Sequence, residues 1–202
     1  GVSHGPHEQK MGIRSSSTTT VAFSDVRVPA DCVLGEPGKG FKVAMAILNN
    51  GRTGLGGGAV GGMKSLIALS TQQAKDRKQF DQPIAAFQAV AHRAADAFVD
   101  TEGIRLTAAQ ALWRLEAGMP AAAEVAIAKY WAADAGQRVV HAAMHLHGGM
   151  GVDRDYPVHR YFLQMKEHEL QLGGTSRSLV ALGKLIAAGE AWVEHPRDAR
   201  MG

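Results

Sequence analysis

The sequence predicts a mainly α-helical protein, an antiparallel four-helix bundle preceded by a short β segment, and three observations lead there. β-Branched alternation is confined to residues 1–35, whereas from Phe41 onward apolar residues recur at helical spacing. Short Gly and Pro breaks separate the helical stretches, and short connections make successive helices antiparallel. Many alanines on the helical faces imply close helix approach.

Taken in order, Thr18-Thr19-Thr20-Val21-Ala22-Phe23 and Val26-Arg27-Val28 suit short strands ended by Pro29, too little sheet to stand alone. The texture changes between Gly35 and Gly40, which divides the chain into residues 1–38 and 39–202. Phe41, Met45 and Leu48 then share one helical face. Val90, Ala94, Ala97 and Phe98 share another, continued by Ile104, Ala108, Leu112 and Leu115. Gly118 ends that helix, and Pro120 begins the next at a position where a missing N–H costs nothing. Val125, Ala128, Ala132, Val139 and Ala143 carry it to a stop at Gly148-Gly149, and a last apolar period runs through Leu179, Leu182, Leu185 and Ile186.

Composition narrows the function classes. The 202 residues are 46% apolar, enough for a core, and 22 Lys and Arg face 19 Asp and Glu with no basic run interleaved with aromatics. A nucleic-acid partner is therefore not expected. The single Cys32 excludes an internal disulfide framework and reads as a structural thiol. No apolar segment nears the roughly 20 residues that span a bilayer, and no signal segment opens the chain, so neither membrane nor export is expected. The expected location is the cytoplasm.

Four local patterns have a bland and a sharp reading. Gly54-Leu55-Gly56-Gly57-Gly58-Ala59-Val60-Gly61-Gly62 contains a formal GxGxxG from Gly56, but no strand precedes it, so it reads as a helix whose small residues admit a neighbour or ligand. His141 and His145 lie four apart with His147 close behind, yet no third ligand or partnering carboxylate completes a zinc set, so no metal site is expected. Trp113, Trp131 and Trp192 read as core or interface anchors. Glu167, His168 and Glu169 read as a solvated face.

Beyond these, a collinear set of words resembles one family. Lys10-Met11-Gly12-Ile13-Arg14-Ser15-Ser16 is followed by Val28-Pro29, Leu34-Gly35-Glu36, Gly38-Lys39-Gly40-Phe41, Arg77-Lys78-Gln79-Phe80, Phe87-Gln88, His147-Gly148-Gly149-Met150-Gly151-Val152 and Tyr156-Pro157-Val158. In that order the chain resembles the C-terminal half of an acyl-CoA dehydrogenase. Asn49-Asn50-Gly51-Arg52 is most similar to the very-long-chain branch. The resemblance makes residues 1–38 the end of the middle β-domain and residues 39–202 the C-terminal bundle. The family's N-terminal helical domain and most of its β-domain are then expected outside this sequence.

The resemblance implies α,β-dehydrogenation of acyl-CoA thioesters with FAD. It implies FAD contacts, usually to a neighbouring subunit, from Arg77, Gln79, Phe80, Gln88, His145, Gly148, Gly149 and Thr175, and substrate contacts from Arg52 and Gly173. Departures from the family pattern are as informative. His145 stands where many members have Gln, and Leu163-Gln164 replaces Arg-Asp. Where the family carries Glu-Gly-Thr, the chain reads Leu172-Gly173-Gly174-Thr175, so the base position falls on Leu172 or Gly173, and the alternative seat before Arg52 is Gly51. None of the three titrates. Tyr156-Pro157-Val158-His159-Arg160-Tyr161-Phe162-Leu163 is similar to base-lacking subunits of heteromeric bacterial enzymes of steroid side-chain degradation. The expectation is a component that completes the flavin site of a full-length partner in a homo- or hetero-oligomer. A non-catalytic helical oligomerisation module, a fragment without flavin, and an enzyme using Glu169 as a relocated base are the other readings.

Overall fold

In the computed structural model, which describes residues 1–191, the glycine run does not interrupt Gly40–Asp76, a continuous 37-residue helix α1. Its buried positions, Thr53, Gly56, Ala59, Met63, Leu66, Ser70 and Ala74, follow a spacing of three and four, which keeps one face against the bundle. The remaining helices are α2 (Gln88–Glu116), α3 (Ala122–His147), the single turn α4 (Gly149–Val152), α5 (Val158–Leu170) and α6 (Thr175–Ala187). Helix α3 packs against α1, α2, α5 and α6, so the core lies around it. No helix among the described residues is long and apolar enough to cross a membrane.

The bundle stands as expected, but its fourth position is divided. Helices α5 and α6 have 13 residues each and are separated at Gln171–Gly174, where Leu172 and Gly173 adopt left-handed φ of 56° and 104°. Helix α3 begins at Ala122, two residues after Pro120, whose carbonyl instead accepts from Arg114 at 3.0 Å. Of the two expected strands, only Val21–Phe23 forms; as β2 it pairs antiparallel with Val2–His4, β1, in the register Val2 to Phe23. Val26–Val28 has no strand beside it among the described residues and is not a strand. A second, unforeseen ribbon pairs Lys78–Gln79 (β3) with Gln82–Pro83 (β4) through a tight turn in which Phe80 and Asp81 both have positive φ.

Core composition explains where the periodicity misled. Val125, Ala128, Ala132, Val139 and Ala143 are all buried, as their spacing predicts. On α2, however, the buried stripe is Ala97, Thr101, Ile104, Ala108 and Ala111, while Phe98 and Leu112 are exposed. Close approach selects the small side chains and turns the bulky ones outward. Phe41 is 81% exposed and Leu48 is exposed too, because α1 outruns its shorter neighbours by several turns. Leu179 and Ile186 on α6 are likewise exposed. Trp131 is half-buried beside the main core, Trp113 is 47% exposed, and Trp192 lies outside the described residues.

Two glycines measure how tight the approach is. A methyl group on Gly56 would meet the Ala108 side chain at 3.0 Å, and one on Gly103 would meet the Trp131 ring at 2.6 Å. Between α2 and α3, Arg138 forks onto Asp100 at 2.7 and 2.8 Å, and Arg114 pairs with Glu124 at 3.0 Å. Gly103→Ala should destabilise the fold by about 1–3 kcal/mol, the cost of overpacking a rigid ring, which exceeds the gain in helix propensity. Gly61→Ala, with nothing within 4 Å, should stabilise it by up to about 1 kcal/mol. Urea unfolding of both variants checks the opposite signs.

Candidate functional site

Gly51 and Leu172, two of the positions at which the family resemblance puts a base, are 121 residues apart in sequence and meet in space. A side chain on Gly51, in the second half of the exposed start of α1, would touch Leu172 Cδ1 at 3.1 Å. Arg52, the next residue, donates from Nε to the Leu172 carbonyl at 3.3 Å and from Nη1 to Asn49 Oδ1 at 2.7 Å. Leu172, not a carboxylate, therefore stands over Gly51. Gly173 offers no easier seat: at φ of 104° an L side chain is strained, and its β-carbon would press on Arg177 Cδ at 3.3 Å. Glu169 is half-buried one turn earlier, and its Oε2 accepts from Lys166 at 2.7 Å.

Beneath this loop lies a residue the sequence reading missed. Lys129 is 1% exposed on α3, and its Nζ donates to the carbonyls of His168 at 2.9 Å and Glu169 at 3.1 Å. Burial pushes its ammonium down to about 8, with Glu169 opposing the fall and Arg52 adding to it. His168 is pushed down by burial and by the Lys129 charge, and its Nδ1 is buried with no hydrogen-bond partner among the described residues. A signal existed in the sequence: Lys129 interrupts the buried Val125, Ala128, Ala132 stripe, where a charge is not expected without a task.

Arg52, Lys129, Leu172 and Gly173 also line a cavity of about 570 Å³ between the first half of α1, the start of α3 and α6. Its charged lining is Arg52, Lys129, Arg177 and Lys184 against the single carboxylate of Glu190. Its walls include Met45, Val125, Ala181 and Leu185. Apolar walls with an excess of cations suit an amphipathic anion.

The eight residues expected at FAD do not form one group. Arg77 closes α1, Gln79 and Phe80 sit on the β3–β4 ribbon, Gln88 opens α2, and His145, Gly148 and Gly149 end α3, all exposed at one end of the bundle. Phe80 packs edge-on against Phe87, with ring centroids 6.1 Å apart, and Arg93 reaches across to His145 Nδ1. Thr175, the first residue of α6, belongs instead with Leu172 and Arg52, and Arg52 lies 25 residues before Arg77 on one helix, about 38 Å away. The first group fits a flavin nucleotide. Arg77 has no side-chain partner among the described residues, the N-terminus of the 29-residue α2 has no side-chain cap, and nothing stands within 4 Å of a methyl group built on Gly148 or Gly149. Being surface features, these residues suit contact with a cofactor carried on a neighbouring surface.

The remaining candidates have separate surroundings. The GxGxxG run lies inside α1 with no strand before it, so it is no dinucleotide fingerprint. His141 meets Phe162 edge-on at 5.2 Å, and buried His147 uses Nδ1 on the Ala143 carbonyl at 2.8 Å beside Tyr156.

Residues 38–183 match the acyl-CoA dehydrogenase C-terminal domain. The chain belongs to the acyl-CoA dehydrogenase family, whose members are FAD flavoproteins. It is similar to the acyl-CoA dehydrogenase FadE27 of Mycobacterium tuberculosis, 46% identical over 129 residues covering 60% of this chain and 35% of that protein. It is also similar to the short-chain-specific acyl-CoA dehydrogenase of Megasphaera elsdenii, 36% identical over 91% of this chain and 48% of that protein. Among solved structures, butyryl-CoA dehydrogenase from Megasphaera elsdenii superposes with a TM-score of 0.88 at 35% identity, covering 93% of this chain and 49% of that one. The ChsE4–ChsE5 complex from Mycobacterium tuberculosis gives 0.82 at 37%, again over 93% and 49%. The chain thus spans about half the length, or less, of the curated relatives it matches.

Lys129 makes stability depend on alkaline pH in a defined direction. Its folded pKa of about 8 lies below the ordinary 10.5, so the unfolded chain binds the extra proton between those values and stability from this group rises with pH across that window. Below pH 8 the full cost of the buried charge is present. The stability difference between Lys129→Met and the parent, measured by urea unfolding at pH 7.5 and pH 10, should shift in favour of the parent at the higher pH.

Proposed function

We propose that this chain is a component of an FAD-dependent acyl-CoA dehydrogenase that has no carboxylate of its own at the base seat and completes the flavin site of a partner subunit. The observation that carries this reading is the meeting of Gly51 with Leu172: both positions at which the family resemblance puts the base converge on one spot, and a leucine fills it. A resident base would have to remove the α-proton of the thioester, and neither an isobutyl group nor a glycine can take a proton. The relocated-base reading is weaker, since the carboxylate of Glu169 is engaged by Lys166 at 2.7 Å.

Bound FAD supplies the hydride acceptor for such a reaction. Toward it, Arg77 would present a planar fork to the pyrophosphate, Gln79 and Gln88 amide contacts, Phe80 an aromatic face, His145 a ring nitrogen, and Gly148 and Gly149 open backbone. Thr175 and Gly173, about 38 Å from that end, belong to a different copy of the site. The cationic, apolar-walled cavity beside Arg52 suits acyl-CoA, whose phosphates and acyl chain are complementary to its two kinds of wall. In this reading residues 1–38 end a β-domain and residues 39–202 form the bundle. Similarity to the ChsE4–ChsE5 complex supports a hetero-oligomer with a full-length acyl-CoA dehydrogenase subunit.

The chain alone should show no acyl-CoA dehydrogenation when supplied with FAD and an electron acceptor, since losing a positioned base removes roughly 100- to 10,000-fold in rate. With a full-length partner, replacing the partner's glutamate should abolish turnover and Glu169→Gln here should leave it nearly unchanged. Single-chain activity lost on Glu169→Gln would overturn the reading. Flavin absorbance of the co-purified pair provides a second test: Arg77→Ala should weaken FAD retention by about 1.5–3 kcal/mol, the worth of a charged donor on phosphate.

A further inference from the structure

We infer that Lys129 and Arg52 act together as positioning residues, a two-cation clamp that fixes the last carbonyls of α5 and, with them, the backbone of the Gln171–Gly174 loop that follows at the wall of the cavity. The last carbonyls of α5 have no partner within that helix and must find one outside it. The Glu167 carbonyl accepts the Gln171 amide at 2.9 Å, which leaves those of His168 and Glu169 to Lys129 Nζ, at 2.9 and 3.1 Å. Three residues on, the Leu172 carbonyl accepts Arg52 Nε at 3.3 Å. Three carbonyls within five residues are therefore held by two cations, one rising from α3 and one from α1.

The arrangement costs enough to need a reason. A lysine that is 1% exposed, with its ammonium pushed down to about 8, would be replaced at similar volume by methionine if packing were its only task. A cation at the C-terminal end of α5 also complements the partial negative charge of its carbonyls. The loop it steadies is the least regular stretch of the bundle, with Leu172 and Gly173 both at positive φ. Lys129, Arg52, Leu172 and Gly173 all face one cavity, so the clamp and the loop form a single wall against any ligand there. What this chain adds to that wall is a held backbone, in a place where it carries no titrating side chain. The effect on ligand rests on the acyl-CoA reading of the cavity; the clamp itself does not.

Hydrogen–deuterium exchange of the whole unliganded chain separates the two. In Lys129→Met, amides of Gln171–Ser178 should exchange at least about 10-fold faster while α1, α2 and α3 keep their protection, since the methionine stem preserves packing. Arg52→Gln, at a half-buried position, should produce the same local pattern and serves if the first variant folds poorly. Unchanged exchange at the loop in both variants overturns the clamp. Faster exchange through all helices overturns it too, because Lys129 would then hold the fold and not the loop. Calorimetry with octanoyl-CoA, added to parent and variants, should give about 10-fold weaker binding in Lys129→Met. Equal affinities would overturn the clamp's role at the cavity. A parent chain that binds no octanoyl-CoA counts against the acyl-CoA reading and leaves the exchange result standing.

Discussion

The close approach of α3 to four other helices is the constraint on which the rest of the molecule depends. A helix with neighbours on nearly every side favours small side chains, and alanine is the commonest residue at its buried positions, with Val125, Val139 and Val140 filling the wider gaps. The same closeness selects Gly56, Gly103 and Gly136 opposite Ala108, Trp131 and Met165. Each fully buried Leu66, Ile104 or Val139 then contributes roughly 1.5–3 kcal/mol of apolar burial, against the up to about 1 kcal/mol that a helical glycine costs. Burial wins, and the glycine-rich α1 stays helical.

That packing has a chemical consequence at one point. Because α3 is enclosed, a lysine on its buried face is nearly cut off from solvent, and its ammonium finds oxygens inside the protein. The open carbonyls at the end of α5 supply them. Core and loop are thereby joined by charge as well as by apolar contact. The loop that follows is held at its Leu172 carbonyl by Arg52 from α1.

The long α1 sets the second feature, the separation of its Arg52 and Arg77 ends. Arg52 lies on α1 and Arg77 is the residue that caps its end, about 38 Å further along the axis. One copy of this bundle therefore presents two unlike surfaces, an exposed polar end around Arg77 and Gly148 and a cationic cavity beside Leu172.

Much of this was legible in sequence, and the misses share a cause. The bundle, the breaks at Gly118 and Gly148, the helical nature of the glycine run and the collinear family words are local properties of the chain, and local spacing reports them. Phe98 and Leu112 were misjudged because periodicity weighs bulk, whereas close packing favours small residues. The β3–β4 ribbon was missed because Phe80 and Asp81 take positive φ without glycine.

By itself, the sequence determined which residue types are available: helical faces, cations, glycines, and no carboxylate at Gly51, Leu172 or Gly173. Only the tertiary structure decided that Gly51 and Leu172 occupy one spot, that Lys129 lies beneath the loop, and that the cofactor candidates divide between two ends. Those facts rest on contacts across 39 to 121 residues of chain. A side chain's distant partner is set by how helices cross and pack, and no pattern of neighbours along the chain records it.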